Sequence, residues 1–170
     1  MVRTAREEAV EAAVSMGFDA ATVEDRVTWL CIAASRGFVS VVSRLLTLGA
    51  PFNVPSSLED AGWTAPFWAI EGFQMSTLRT LLEAGADPSS VDLDGNSLLF
   101  NAVDVEVEVA QTAGRLPTAE LTRLLLSFGA DPNTRNKLGQ TALDLAVVRG
   151  HRAASFLLGE IGAERGTLIR

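Results

Sequence analysis

One short pattern returns four times along the chain and restricts it to a modular architecture. Leu45-Leu46-Thr47-Leu48-Gly49-Ala50 recurs as Leu81-Leu82-Glu83-Ala84-Gly85-Ala86 and as Leu125-Leu126-Ser127-Phe128-Gly129-Ala130, with a looser copy in Leu157-Leu158 and Gly162-Ala163. The glycines at 49, 85, 129 and 162 are separated by 36, 44 and 33 residues, so the basic period is 33 with two insertions. Units of this size cannot bury their apolar faces alone and must stack on their neighbours.

A second marker precedes each glycine: Thr28-Trp29-Leu30-Cys31-Ile32-Ala33-Ala34, Thr64-Ala65-Pro66-Phe67-Trp68-Ala69-Ile70, Ser97-Leu98-Leu99-Phe100-Asn101-Ala102-Val103 and Thr141-Ala142-Leu143-Asp144-Leu145-Ala146-Val147. Each opens on a hydroxyl residue, whose oxygen can accept from an orphaned N–H at a helix start. Each then turns apolar. The glycine of Gly-Ala marks a helix end, because it takes the left-handed C-cap conformation without a Cβ penalty. This punctuation predicts two short helices per unit.

In these motifs the chain resembles the ankyrin repeat family, with units of Gly-x-Thr-Pro-Leu-His-x-Ala-Ala, Gly-His, Leu-Leu and Gly-Ala-Asp. The fourth unit matches through Gly139-Gln140-Thr141-Ala142-Leu143-Asp144-Leu145-Ala146, Gly150-His151 and Gly162-Ala163. The third supplies Asp92-Leu93-Asp94-Gly95-Asn96-Ser97, and the second and third both end in Gly-Ala-Asp-Pro. The resemblance implies an all-α solenoid of four helix-turn-helix repeats with β-turn tips, at about 23–55, 59–91, 92–135 and 136–163. Residues 1–22 read as an N-terminal half-repeat, with Thr4 and Glu7 as a capping box and Ala9, Val10, Ala13 and Val14 as its apolar stripe. Met16-Gly17-Phe18 also resembles the loop of ubiquitin-associated domains, but too little chain precedes Thr28 for that domain.

The third unit carries an insertion at 104–116, opening with Val103-Asp104-Val105-Glu106-Val107-Glu108-Val109. Alternating β-branched residues point to an extended segment, with a prolonged first helix as the alternative. Ala113-Gly114-Arg115-Leu116-Pro117-Thr118 then turns the chain, and Pro55-Ser56-Ser57 lengthens a surface turn.

Little in the sequence points to catalysis. His151, the one histidine, occupies a turn position with no nucleophile elbow nearby. Cys31 lies between Leu30 and Ile32 and reads as a buried small hydrophobe; a single cysteine makes no internal disulfide and fits a reducing cytoplasm. Asp92-x-Asp94-Gly95-Asn96 begins like a calcium loop, but the sixth and twelfth positions are Ser97 and Val103 where an EF-hand has Gly and Glu. No Cys/His set has zinc spacing and no loop offers a phosphate cradle, so neither metal nor cofactor is expected. A metal-binding or enzymatic reading would have to centre on Asp92, Asp94, Asp104, Glu106 and Glu108.

What remains is surface. The 14 basic against 21 acidic residues leave a formal charge of −7, which argues against nucleic acid as a partner. No apolar stretch approaches a membrane span, and the first ten residues lack a secretory core. The resemblance implies protein binding through a concave side lined by turn tips and first-helix ends. There the acidic residues are Glu24, Asp25, Glu59, Asp60, Glu71, Asp92, Asp94, Asp104, Glu106 and Glu108, ten of the 21 carboxylates. Such a surface would steer a basic partner. Trp63, at a tip with no core to enter, is the expected anchor, whereas Trp29 and Trp68 are expected to pack. The reading is a monomeric, non-catalytic interaction module. An immunity- or antitoxin-type inhibitor of a basic toxin enzyme is its alternative.

Overall fold

The computed structural model describes residues 22–57 and 61–166, which fall into two compact units divided between Ala86 and Asp87. The half-repeat expected in residues 1–22 lies outside the described residues, apart from Thr22. The first unit contains α1 (Val23–Arg36), α2 (Val39–Thr47), α3 (Ala65–Glu71) and α4 (Met75–Glu83). The second contains α5 (Leu98–Thr112), α6 (Glu120–Ser127), α7 (Ala142–Val148) and α8 (Arg152–Glu160). Among the described residues the only β pairing is one isolated bridge, Val91 to Ser97. The expected all-α class is what the chain adopts.

The recurrent Leu-Leu-x-x-Gly-Ala has a local cause. At the end of α2, Gly49 N–H donates to Leu46 C=O and Ala50 N–H to Leu45 C=O, the pair of bonds that closes a Schellman turn. The same two bonds follow α4, from Gly85 to Leu82 and Ala86 to Leu81, and follow α6, from Gly129 to Leu126 and Ala130 to Leu125. Each glycine has a φ between 80° and 98°, which a side chain would oppose. The leucines meanwhile enter the core: Leu45, Leu81 and Leu125 are fully buried.

Helix starts depart from expectation in one place. Ser97 and Thr141 cap α5 and α7 through the N–H groups of Phe100 and Asp144, and Thr64 is the N-cap residue of α3. Thr28, however, lies inside α1, which starts earlier because Thr22 and Asp25 form a reciprocal capping box. That box holds the Asp25 carboxyl below its ordinary range, the Thr22 hydroxyl being the larger influence and its N–H the smaller.

The insertion is also helical: α5 runs 15 residues, through the alternating segment, to Thr112. The extended reading is therefore corrected in favour of the prolonged first helix. Valine's β preference is a weak constraint once both flanks of a helix are buried, and α5 packs on α6 and on α7, burying Val103, Val105, Val107 and Ala110.

In the first unit α1 packs on α2 and α3, and α4 packs on α3 and α2, around Leu30, Val41, Leu45, Phe67, Ile70 and Leu78. In the second, residues after α8 return to α7. Gly166 N–H donates to Asp144 Oδ2 at 2.6 Å and Arg165 Nε pairs with Asp144 Oδ1 at 2.6 Å. Burial alone would raise the Asp144 carboxyl, but the N–H groups of Thr141 and Gly166, the Thr141 hydroxyl and Arg165 outweigh it and hold it below its ordinary range.

Candidate functional site

Two turn tips in the second unit share one local construction. Asp92 Oδ1 accepts from the N–H groups of Asp94 and Asn96, both at 2.9 Å, and Asn136 Oδ1 accepts from those of Leu138 and Gln140, both at 3.0 Å. These are Asx turns, in which a short polar side chain substitutes for missing backbone partners. The tips are joined by Lys137 N–H to Asp94 C=O at 2.9 Å and Asn136 Nδ2 to Asn96 Oδ1 at 2.9 Å. Pinned in this way, they present Leu93 (61% exposed) and Leu138 (63% exposed) beside Asp94 and Lys137, whose charged atoms lie 3.9 Å apart. A tip backbone held by such bonds has less freedom to lose when its apolar side chains meet a partner.

On the first helices of the same unit, Arg149 ion-pairs with Asp104 and approaches Glu108 Oε1 at 3.9 Å. Asp104 is thus an ion-pair member, whereas Glu108 is exposed. In the first unit Glu24 and Glu71 are exposed, and Asp25 is occupied in the α1 cap. Asp92 serves its turn, so its carboxylate is spoken for by backbone donors. Glu59 and Asp60 lie outside the described residues.

Glu106 requires a correction, because it is buried (2% exposed) rather than on a surface. Its Oε1 accepts the Thr122 N–H at 3.0 Å; its Oε2 accepts the Thr122 hydroxyl at 2.8 Å and lies 3.0 Å from His151 Nε2. His151 Nδ1 accepts from Ala154 N–H at 3.3 Å, so Nε2 carries the proton and donates to the carboxylate. The arrangement has a structural logic. The N-cap residue of α6 is Ala119, which offers no side-chain cap, and Glu106 reaches across from α5 to supply one, with a negative charge at the helix's positive end. His151 does the same for α8 as its N-cap residue. The carboxylate–histidine pair is sealed from solvent, which suits a fold element rather than a substrate site.

Trp63 also differs from expectation. It is half-buried and packs on its own repeat, stacked on Phe67 with centroids 6.2 Å apart and edge-on to Trp68 at 5.5 Å. Thr64 is the N-cap of α3, so Trp63 and Trp68 stand at the two positions of a hydrophobic staple, a spacing already legible in the sequence. Trp68 Nε1 donates to the buried Ser56 Oγ at 3.0 Å, and Ser56 N–H donates to Trp63 C=O at 3.0 Å. The surface turn containing Ser56 is thereby tied to the aromatic cluster.

Cys31 is buried in the first unit, and burial pushes its thiol up to about 12, despite the opposing hydrogen bond with Ser56. The thiolate is the reactive form, so alkylating reagents are expected to modify Cys31 only under unfolding conditions. Labelling of the native protein at the rate of the unfolded chain, followed by mass spectrometry, would contradict this.

Among the described residues, no group of three or more His, Cys, Asp or Glu is placed to hold a metal ion, and no helix is long and apolar enough to cross a membrane.

The family model for ankyrin repeats (many copies) matches residues 110–158. The chain is 39% identical over 98 residues to Protein PhlB of Serratia liquefaciens, covering 57% of this chain and 38% of that protein. It is 32% identical over 127 residues to a putative ankyrin repeat-containing protein of Treponema pallidum, covering 74% of this chain and 38% of that one. With ankyrin repeat and SOCS box protein 16 of Mus musculus it shares 33% identity over 129 residues, covering 73% of this chain and 26% of the relative. The chain therefore spans well under half the length of each of these relatives.

Proposed function

Because the chain belongs to the ankyrin repeat family, whose repeats are protein–protein interaction modules, we propose that it binds a basic protein partner, without catalysis, through the turn tips of its second unit. The observation that carries this reading is the pair of joined Asx turns presenting Leu93 and Leu138 on a hydrogen-bonded frame. Large apolar side chains held outward in this way give a binding surface its affinity, and charges around them its orientation. Asp92 and Asp94 against Lys137 leave a formal charge of −1 on the two joined tips. That local sign favours a cationic partner and predicts salt-sensitive association.

Affinity capture from source cells tests the proposal, comparing the native chain with a Leu93→Ser/Leu138→Ser/Asp94→Arg variant. The expected result is a basic protein retained by the native chain, weakened by high salt and lost from the variant. Capture of the same partner by both, indifferent to salt, would overturn it.

A further inference from the structure

On the second unit the inserted segment leaves a groove of about 460 Å³ lined by Leu116, Pro117, Gly150, Arg152 and Ala153. Its walls are the connection from α5 to α6 and the turn from α7 to α8, and the turn tips lie at the opposite ends of these first helices. Two residues there resist explanation by folding. Leu116 is 87% exposed in a loop otherwise rich in polar and small residues. Phe156 is 67% exposed on α8, one helical turn from Arg152 and Ala153 and therefore on their face. Counting back six residues from each Gly-Ala, the positions equivalent to Phe156 are Ser43, Arg79 and Arg123, all exposed. Of the two repeats that line the groove, the third keeps an arginine at this position and the fourth has a phenylalanine.

Two arginines stand at this patch. Arg152 lines the groove and Arg115 adjoins Leu116, and neither is paired with a carboxylate among the described residues. The same unit pairs Arg135 with Glu164, Arg149 with Asp104 and Arg165 with Asp144. Among the described residues no carboxylate lines the groove. We propose that this groove is a second docking site, distinct from the turn tips, that takes an acidic peptide segment of a partner protein anchored by one large apolar side chain. The anchor would fill the space between Leu116 and Ala153 and pack toward Phe156, while flanking carboxylates would meet Arg152 and Arg115. The volume accommodates such a side chain, and the paired arginine–carboxylate contacts would fix its orientation. The insertion thus builds a site that a repeat of ordinary length lacks.

Selection of a random dodecapeptide display library on the intact chain tests the proposal, with recovered peptides synthesised and measured by fluorescence anisotropy. Enriched sequences are expected to carry Asp or Glu around a Phe, Trp, Leu or Met. They should lose roughly tenfold or more in affinity for Leu116→Ser/Phe156→Ser and for Arg152→Glu, and none for Leu93→Ser/Leu138→Ser. All these side chains are exposed, so the variants keep the fold, which circular dichroism would verify. Absence of enrichment, enrichment of basic peptides, or affinities unchanged by the groove variants would overturn the proposal. So would sedimentation velocity showing a dimer of the native chain that Leu116→Ser/Phe156→Ser dissolves, because a second copy would then be the occupant. Loss confined to the Leu93→Ser/Leu138→Ser variant would place peptide binding at the turn tips instead.

Discussion

Replacing Glu106 with alanine is expected to destabilise the chain by about 3–5 kcal/mol, the cost of breaking a buried, hydrogen-bonded charge network from one side. The substitution orphans three donors at a place closed to bulk solvent: the Thr122 N–H, the Thr122 hydroxyl and His151 Nε2–H. It also removes the cap of α6, whose own N-cap residue is Ala119. Glu106→Gln keeps the volume but offers one acceptor oxygen in place of two and adds an amide donor, so an intermediate loss is expected. Urea denaturation of the two variants beside the native chain measures this order. His151→Ala should be costly as well, and the double variant should fall short of the sum of the singles by about 0.5–3 kcal/mol, as groups sharing one network do. A loss below 1 kcal/mol for Glu106→Ala would mean that the network adds nothing to the fold.

The contrast between Glu106 and the repeat motif shows which interactions a sequence makes visible. Leu-Leu-x-x-Gly-Ala was readable because the Schellman turn it encodes is closed by bonds between residues three and five positions apart, and because the glycine alone tolerates the required φ. The turn tip at Asp92 is likewise closed by bonds between residues two and four positions apart. Glu106 was not readable, since its partners lie 16 and 45 residues away and its neighbours Val105 and Val107 carry a strand-like alternation. Only the packing of α5 on two neighbours decides that all three are buried within a helix. The start of α1 is an intermediate case. Thr22 and Asp25 announce a capping box, but the register of the later repeats draws the eye to Thr28. At the candidate site the acidic tally was legible as composition but not as surface. Asp25, Asp92 and Glu106 turn out to be occupied by backbone or buried donors, and the exposed apolar tips Leu93 and Leu138 gained their meaning only from the frame beneath them.

Phe67→Ala and Trp63→Ala together separate the two roles an aromatic cluster can have. Phe67 is fully buried in α3 beneath Trp63, so its truncation is expected to cost about 3–5 kcal/mol through lost transfer energy and an unfilled cavity. Trp63 is half-buried and staples the start of α3 by stacking on Phe67 and meeting Trp68 edge-on. Its removal should cost less, about 1–2 kcal/mol from the aromatic contacts and the exposed staple. The functional consequence then follows from the location of the binding surface. If the partner engages Leu93, Asp94 and Leu138, Trp63→Ala protein that is still folded at the assay temperature will capture it as the native chain does, while its thermal midpoint falls. The opposite pattern, full stability with lost capture, would make Trp63 a contact residue and move the binding surface to the first unit. Measuring the thermal midpoint and partner capture on the same preparation distinguishes the two, because a staple acts on the folded fraction and an anchor acts on affinity at constant folded fraction.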